Sequence, residues 1–538
     1  MNQMTESFLF YPLILFVFTI VAHGIILFYD GLCWDGWIVD SWQRRRDWKT
    51  MKKFYLEVGM PLLYYQHRII GNFPNKILFY RIIAFTSTYV SALAIYFIST
   101  HLGFMNNTQA LFLSILYLTY TGYHMNIDNI VGLQYTFPTC LFYCSVFISL
   151  ISDGFLGYEH WGIRVVSIII FTISFNMNSL LVYYFGFLVL KSILFFKYSS
   201  LSLHGVYEFS LHNFDYIILP FIFWFFKERL APRCGQYSSY NRIRLNFGKI
   251  LKSYISLFRF GFEGSITNPI FFIFNKRYIW IPLFMTLFIY LLPYNRDEVI
   301  DNLNIDAGII LYGVILLVLA GLPYILVNQP FCLDGWGTKN SALLHLPVAL
   351  IILGLIHIVF PAQSMGYIVM FIAIVFSIYI NMKYMHFIAV YVKNRSWLYH
   401  LSKYPGSSRI SIYQIVDNHF LRGDSDPHNE HKSAYLVYMF EWLWGDVKRF
   451  GIPELKIRNL PYTEIEIKKE IDATTLNYAL DAIDIAGLQA RVTIKSGNID
   501  SYFYIARTYI VATIFHDHDK LNYLFENAAS IDYYEYTR

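Results

Sequence analysis

The sequence predicts an α-helical polytopic membrane protein with about eleven transmembrane helices (roughly 10 to 13) and a small C-terminal α+β soluble domain. Its composition is the first indication: of 538 residues, 56% are hydrophobic and only 15% are charged, whereas about a quarter of the residues of soluble globular proteins are charged. The second is a series of long apolar runs. The third is a change to dense charge after about residue 392.

The apolar runs account for the predicted spans. The first, residues 7–29, exceeds the roughly 20 residues that cross a bilayer core. It lacks a basic leader and a small-residue cleavage site, so we expect an uncleaved helix. The stretch 248–274 is compatible with an interfacial, a re-entrant or a further spanning segment. The other runs lie near 77–100, 109–123, 130–152, 162–176, 179–197, 214–226, 278–293, 307–328, 342–361 and 365–391.

Two domains are predicted. Residues 1–392 form the transmembrane domain, with a catalytic first loop at 30–76, and residues 393–538 form the soluble C-terminal domain. The latter mixes helix-like runs with short strand-like ones such as "ARVTIK" at 490–495, a pattern typical of α+β structure.

The loops after odd-numbered spans should share one side of the membrane. If each apolar run crosses once, loops 30–76, 124–129, 227–277 and 329–341 lie there together with the C-terminal domain. Their many Lys and Arg residues favour the cytoplasm by the positive-inside rule. Basic, aromatic loops can also hold lipid phosphates at either surface, so both orientations remain open.

The first loop has the residue types of a membrane-surface active site. It contains "CWDGW" at 33–37, which recurs as "CLDGW" at 332–336, and it combines Asp, Trp, Lys and Arg residues. Carboxylates can act as a base toward a hydroxyl or bind a divalent cation. Aromatic rings can stack on sugars or anchor the loop in the interface, and cations can hold a phosphate. Alternatively, the Asp residues cap helices and the Trp residues only anchor the loop.

This arrangement resembles the GT-C superfamily of membrane glycosyltransferases. The similarity lies in a long first helix, an acidic loop directly after it, an amphipathic helix, many further spans and a soluble C-terminal domain. Those enzymes use a polyprenyl-phosphate-linked sugar and keep an essential Asp or Glu in this loop, a position that Asp35 matches. Asp128 in "HMNIDNIVG" resembles a second acidic position of some members, although the same residues fit a plain turn. Members place the acidic loop outside the cytoplasm.

The resemblance implies an inverting transfer of sugar to a cell-surface glycan, lipid or protein. Asp35 would accept the proton of the acceptor hydroxyl, with Asp128 as a second catalytic carboxylate. No cofactor is certain, but a divalent cation (Mg²⁺ or Mn²⁺) is compatible with this acidic site. Each basic candidate is alternatively a surface or snorkelling residue. The predicted contacts to substrate and lipid phosphate are Trp37, Asp40, His67, Arg68, Arg242, Arg244 and Lys339.

Two other functions remain as alternatives. A polytopic transporter or lipid flippase would use polar groups inside the spans, but here the dense polar groups lie in the loops. A membrane O-acyltransferase would need a catalytic histidine, for which His345 and His357 are candidates. The expected partners are membrane lipid, the lipid-linked donor and its acceptor. Nucleic acid is not expected, because the net charge of +5 lies in loops at membrane surfaces. The Ile- and Phe-rich, Ala-poor composition indicates a low-GC prokaryote and hence a bacterial inner (plasma) membrane.

Overall fold

A computed structural model gives the fold of most of the chain. It describes residues 2–103, 105–198, 202–238, 242–243, 246–275, 279–291, 307–329, 331–332, 335–421, 433–453, 461–473 and 483–536.

The N-terminal part is almost entirely helical. Short 3₁₀ or π segments at Gly24–Phe28, Gly132–Thr136, Arg259–Thr267 and Gly335–Ser341 extend or join the helices. The helices are α1 (Asn2–His23), α2 (Gly36–Arg44), α3 (Trp48–Glu57), α4 (Pro61–Ile70), α5 (Lys76–His101), α6 (Asn107–Leu118), α7 (Phe137–Ser152), α8 (Gly157–Ser174), α9 (Ser179–Tyr198), α10 (Leu203–His212), α11 (Phe214–Leu230), α12 (Phe247–Phe258), α13 (Asn268–Asn275), α14 (Trp280–Leu291), α15 (Ala307–Leu326), α16 (His345–Val359) and α17 (Ala362–Ser402).

The protein is a multi-pass helical membrane protein. In the described part of the chain, six helical segments are long and apolar enough to cross a membrane, or seven if α10 and α11, which meet at an angle of 61°, form one bent span. Other predicted runs form shorter apolar helices such as α6 and α16, so the count of eleven stays a prediction. The six segments are Phe10–Phe28, Lys76–His101, Gly132–Ser152, Ser179–Lys197, Gly308–Leu326 and Gln363–Ser402.

Small residues allow neighbouring membrane helices to approach closely. A Cβ atom on Gly354 of α16 would lie only 2.4 Å from the side chain of Ile310 on α15, and one on Gly313 would lie 2.9 Å from Ile351. Close approach at Gly is a common way of packing helices in membranes, where lipid provides no hydrophobic drive for association. We therefore attribute the tight α15–α16 contact to these two glycines.

The first loop folds into three short helices, α2 to α4, between the first two spans. Asp47 caps α3 by accepting a hydrogen bond from the backbone N–H of Thr50 (3.1 Å), and Pro61 occupies the first turn of α4, where its missing N–H costs nothing. Helix α2 is enclosed by the rest of the protein, because every residue from Gly36 to Gln43 is buried, Trp37 and Trp42 among them.

The C-terminal part is a small mixed sheet with helices, which confirms the α+β prediction. Strand β1 pairs in parallel with β2 and β3, and β3 pairs antiparallel with β4, so the order is β2-β1-β3-β4. The predicted boundary at 392 to 393 lies inside α17, which therefore joins the last span to this part as a continuous helix. The elements are β1 (Ile412–Asp417), α18 (Ser433–Trp444), β2 (Phe450–Pro453), α19 (Glu464–Ala473), β3 (Gln489–Ser496), α20 (Tyr502–Ile514), α21 (His518–Asn527) and β4 (Ala529–Tyr536).

Candidate active site

Two carboxylates from separate segments meet at one end of the helix bundle. Asp35 directly precedes α2, and Asp128 begins the single helical turn Asn129–Val131. That turn contacts α2, and the charge of Asp35 acts on the carboxyl group of Asp128. The structure thus brings together the two residues that the sequence predicts as catalytic, although 93 positions separate them along the chain.

Asp128 is the buried member of the pair. It is 1% exposed, and its Oδ1 accepts hydrogen bonds from the backbone N–H groups of Ile130 (2.8 Å) and Val131 (3.1 Å). Its Oδ2 has no hydrogen-bond partner among the described residues. Burial, and next the charge of Asp35, raise the pKa of Asp128 to about 7, against the opposing effects of the two N–H groups and Arg81. Asp128 can therefore hold a proton near neutral pH, while Asp35 is partly exposed.

The raised pKa of Asp128 predicts a pH-dependent contribution to stability. The folded state holds this proton up to about pH 7, whereas the ordinary pKa is 3.8. The stabilisation is therefore complete below about pH 4 and is lost as the pH rises to 7, by at most roughly 4 kcal/mol. Asp128→Asn keeps an oxygen for the Ile130 and Val131 N–H groups and removes the titration. Unfolding of both proteins in detergent between pH 4 and 8 should show wild type losing stability relative to the variant, and parallel curves would contradict this assignment.

Arg81 holds the two carboxylate-bearing segments together. Its buried guanidinium donates hydrogen bonds to the backbone oxygens of Tyr29 (3.4 Å) and Gly31 (2.8 Å), just before Asp35, and of Asn126 (3.3 Å), just before Asp128. It also lies 5.0 Å from the ring centre of Tyr29. The sequence prediction missed Arg81, because a lone Arg near the end of a span also fits a snorkelling residue. Its position inside an apolar run was the available signal, since ionisable residues in spans are rare and usually paired.

Asp40 and Trp37 connect the first loop to its surroundings. Asp40 is buried and forms ion pairs with Arg44 (2.6 Å) and Lys76 (2.8 Å). Arg44 also forms an ion pair with Glu441 of α18 (2.8 Å). Trp37 packs its ring against Trp442 of the same helix, with 6.3 Å between ring centres. The structure thus places both residues at the junction with the C-terminal sheet and helices, and their predicted contact with substrate stays a prediction.

The Arg44–Glu441 pair should stabilise this junction. Glu441 is buried, and both of its oxygens accept hydrogen bonds from Arg44. Glu441→Gln removes the negative charge that faces Arg44, which stays paired with Asp40, so we expect a loss of about 1.5–3 kcal/mol, the contribution of a hydrogen bond to a charged group. Limited proteolysis and thermal unfolding would measure the loss. Glu464→Gln makes the same chemical change at an exposed site; equal behaviour of the two variants would show that the pair does not hold the junction.

His67 and Arg68 are neighbours in α4, and only His67 is buried. His67 is fully buried, shares a hydrogen bond with the hydroxyl of Tyr80 (2.6 Å) and stacks on Tyr55. Burial lowers the pKa of His67 to about 3, which favours the neutral imidazole, and its predicted contact with a phosphate stays a prediction. Arg68 is exposed and donates a hydrogen bond to the hydroxyl of Tyr64 (3.0 Å), so it keeps its charge at the surface.

The remaining predicted cations fall in different places. Lys339 is partly buried in the turn Gly335–Ser341, which lies against Met125–Ile127 beside Asp128. The described turn Gly335–Ser341 and helix α2 therefore both contact the segment around Asp128. Arg242 is exposed, and its Nε lies 3.4 Å from the backbone oxygen of Ser238. Arg244 lies outside the described residues.

The carboxylate pair is also where a divalent cation would find ligands. Asp35 and Asp128 would supply two carboxylates, and Oδ2 of Asp128 lacks a hydrogen-bond partner in the described part of the chain. Within that part, no group of three or more His, Cys, Asp or Glu residues could hold a metal ion. We therefore derive no step through a metal.

Charges at the other end of the bundle are paired with each other. Arg164 of α8 pairs with Asp215 of α11, and Lys191 of α9 pairs with Asp153 (2.8 Å). Both cations also lie over the ring of Tyr216, at 4.6 and 5.1 Å from its centre. These ion pairs neutralise two buried cations and connect neighbouring helical segments.

An apolar cavity of about 380 Å³ lies inside the bundle. Its lining runs from Leu102 and Gly103, at the end of α5, to Leu346, at the start of α16. His345, next to Leu346, packs against Tyr120 and Tyr123, close to the Asp128 turn. The cavity thus extends along the membrane helices toward the end of the bundle that carries the carboxylate pair.

The chain was compared with protein families, curated proteins and solved structures. No protein family, curated protein or solved structure matches the chain. What the fold itself establishes is a multi-pass helical membrane protein with a small mixed sheet at its C-terminus.

Proposed function

We propose that this protein is a membrane glycosyltransferase that moves a sugar from a polyprenyl-phosphate carrier to a hydroxyl group of a cell-surface glycan, lipid or protein. The observation that carries the proposal is the pairing of Asp35, in the loop directly after the first span, with the buried Asp128. The two positions match the acidic positions of the GT-C superfamily, which this chain resembles in architecture.

The pair is suited to general base catalysis. Asp35 is partly exposed, and its side chain makes no capping hydrogen bond to the start of α2. It would accept the proton of the acceptor hydroxyl while that oxygen attacks the anomeric carbon, and the bond from this carbon to the phosphate oxygen would break with its electrons leaving on the lipid phosphate. A base positioned in this way contributes about 10²- to 10⁴-fold to the rate.

Asp128 supports this role through its proton. Burial, and next repulsion from the charge of Asp35, disfavour the ionised form of Asp128 and raise its pKa. With its pKa raised to about 7, Asp128 can hold a proton near neutral pH and then adds no negative charge beside Asp35, which would accept the proton of the acceptor hydroxyl.

The apolar cavity and Lys339 would bind the lipid chain and the phosphate of the donor. The cavity of about 380 Å³ is lined mainly by apolar side chains of membrane helices, which fits part of a hydrocarbon chain. Lys339 lies in the turn against Met125–Ile127, the segment that leads to Asp128, and would stabilise the charge that develops on the phosphate.

One vesicle experiment separates this proposal from the transporter or flippase alternative. The purified protein would be reconstituted with a panel of polyprenyl-phosphate hexoses and pentoses and short glycan acceptors. Free polyprenyl phosphate would be measured by mass spectrometry, and movement of a fluorescent lipid between leaflets in parallel. We expect release of polyprenyl phosphate from at least one donor without accelerated lipid movement. Lipid movement without release would contradict the proposal.

A further inference from the structure

Helix α12 (Phe247–Phe258) has three distinct faces. At 100° per residue, Ile250, Tyr254 and Leu257 share one face, and Leu257 is fully buried. The second face is apolar and exposed. The third carries Lys249 and Lys252, which are both exposed. A helix with only one buried face is expected to place its exposed apolar face in a further apolar environment.

The exposed apolar face is large and continuous. Phe247 is 88%, Leu251 is 65% and Ile255 is 62% exposed, and Phe258 extends the same stripe. Its spacing of four, four and three residues is that of one side of a helix. In a membrane protein, the acyl chains of the bilayer are the apolar environment that this stripe can reach.

Contacts with α15 show how far below the end of that helix α12 lies. The hydroxyl of Tyr254 donates a hydrogen bond to the backbone oxygen of Val318 (3.4 Å), and Leu257 lies where Gly321 has no side chain. α15 ends at Leu326, so at 1.5 Å per residue these contacts lie about 7 to 12 Å below its end. Interfacial helices bury their apolar face about 5–10 Å into the boundary between headgroups and acyl chains.

The charges near α12 favour anionic headgroups. The helix contains two lysines and no acidic residue, and the exposed Arg229 and Arg242 precede it. Arg259 follows but is paired with Glu263 (2.8 Å). Each basic side chain at a membrane surface strengthens binding to anionic lipids by about fivefold.

We infer that α12 is an interfacial anchor that inserts its Phe247–Leu251–Ile255–Phe258 stripe among acyl chains and binds anionic phospholipid headgroups through Lys249 and Lys252. Its backbone continues into Arg259–Thr267, where the oxygen of Ser265 accepts a hydrogen bond from Thr121 (2.7 Å), close to the Asp128 turn. The anchor thus fixes the loop beside the carboxylate pair against the membrane surface. This inference does not depend on the proposed transfer reaction.

Spin labels test the insertion of the stripe. In a variant whose five native cysteines are replaced, nitroxides would be attached at Leu251→Cys or Lys249→Cys, and the protein placed in phosphatidylglycerol-containing nanodiscs. We expect the label at 251 to be accessible to oxygen and protected from a water-soluble nickel complex, with the reverse at 249. Free access of the nickel complex to both labels, or protection of the label at 251 from both reagents by a second copy or another protein, would overturn the inference.

Lipid composition tests the headgroup preference. In nanodiscs of mixed phosphatidylglycerol and phosphatidylcholine, native mass spectrometry would measure the phosphatidylglycerol retained by the protein. Lys249→Gln with Lys252→Gln should lower this retention several-fold. Lys468→Gln with Lys469→Gln, the same charge change at exposed positions of α19, should leave it unchanged. An equal effect of both pairs, or a preference seen only for added polyprenyl phosphate, would overturn the inference.

Discussion

Replacement of Asp35 by Asn is expected to lower kcat for transfer from the lipid-linked donor by about 10³-fold, within the range of general base catalysis. The amide has nearly the shape of the carboxylate but cannot take the proton of the acceptor hydroxyl. KM should change little, because the lost interaction acts in the transition state. The fold should be kept, since Asp35 lies at a partly exposed position before α2, where the amide fits the same space. Turnover of the donor at several concentrations would give both constants.

A matched control makes the Asp35 result specific. Asp500→Asn makes the same chemical change at an exposed site of the C-terminal part and should retain wild-type turnover. Yield, monodispersity and thermal unfolding of both variants would show whether the fold is retained. If the Asp35 variant kept turnover within about threefold of wild type, Asp35 would not be the base.

Replacement of Arg81 by Met is expected to be the most damaging change to the site. The variant would leave three backbone oxygens without their donor and remove a buried charge beside Asp128. Breaking such a buried charged network costs about 3–5 kcal/mol, and a displacement of about 1 Å of a catalytic group can lower the rate about 10²-fold. Thermal unfolding and donor turnover would measure the two effects.

The Arg81→Lys variant distinguishes a role of Arg81 in positioning the two carboxylates from a role in stabilising the fold. Lysine keeps the charge but cannot reach all three oxygens, so we expect it to restore most of the stability and only part of kcat. Arg507→Met, at an exposed position of α20, is the control for loss of an arginine. Full kcat in a stably folded Arg81→Met protein would show that Arg81 does not position the carboxylates.

The meeting of Asp35 and Asp128 was predictable because the order of the apolar runs indicates which loops lie on the same side of the membrane. Asp35 and Asp128 follow odd-numbered apolar runs, so they were expected on one side, and the structure brings them together. The roles of Trp37 and Asp40 could not be read in the same way. Their fixed arrangement depends on Trp442 and Glu441, which lie about 400 positions later in the chain, beyond any local pattern.

Burial of His67 affects its protonation, which the sequence alone did not indicate. His67 was a predicted phosphate-binding residue, and this role stays a prediction. Its enclosure by Tyr55 and Tyr80, which favours the neutral imidazole, is visible only in the tertiary packing. In the C-terminal part, the alternating pattern of "ARVTIK" predicted a strand, which is β3. The order β2-β1-β3-β4 follows from pairing between distant segments and was not predictable from one strand.

The anomeric configuration of the product shows whether the sugar is transferred by direct attack of the acceptor hydroxyl. Wild-type protein in vesicles would be incubated with a polyprenyl-phosphate sugar of known configuration and a glycan acceptor, and the new glycosidic bond read from its proton coupling constant by NMR. Direct attack of an acceptor hydroxyl deprotonated by Asp35 predicts a glycoside with the inverted configuration. A glycoside with the retained configuration, or no glycoside from any donor in the panel, would contradict the account.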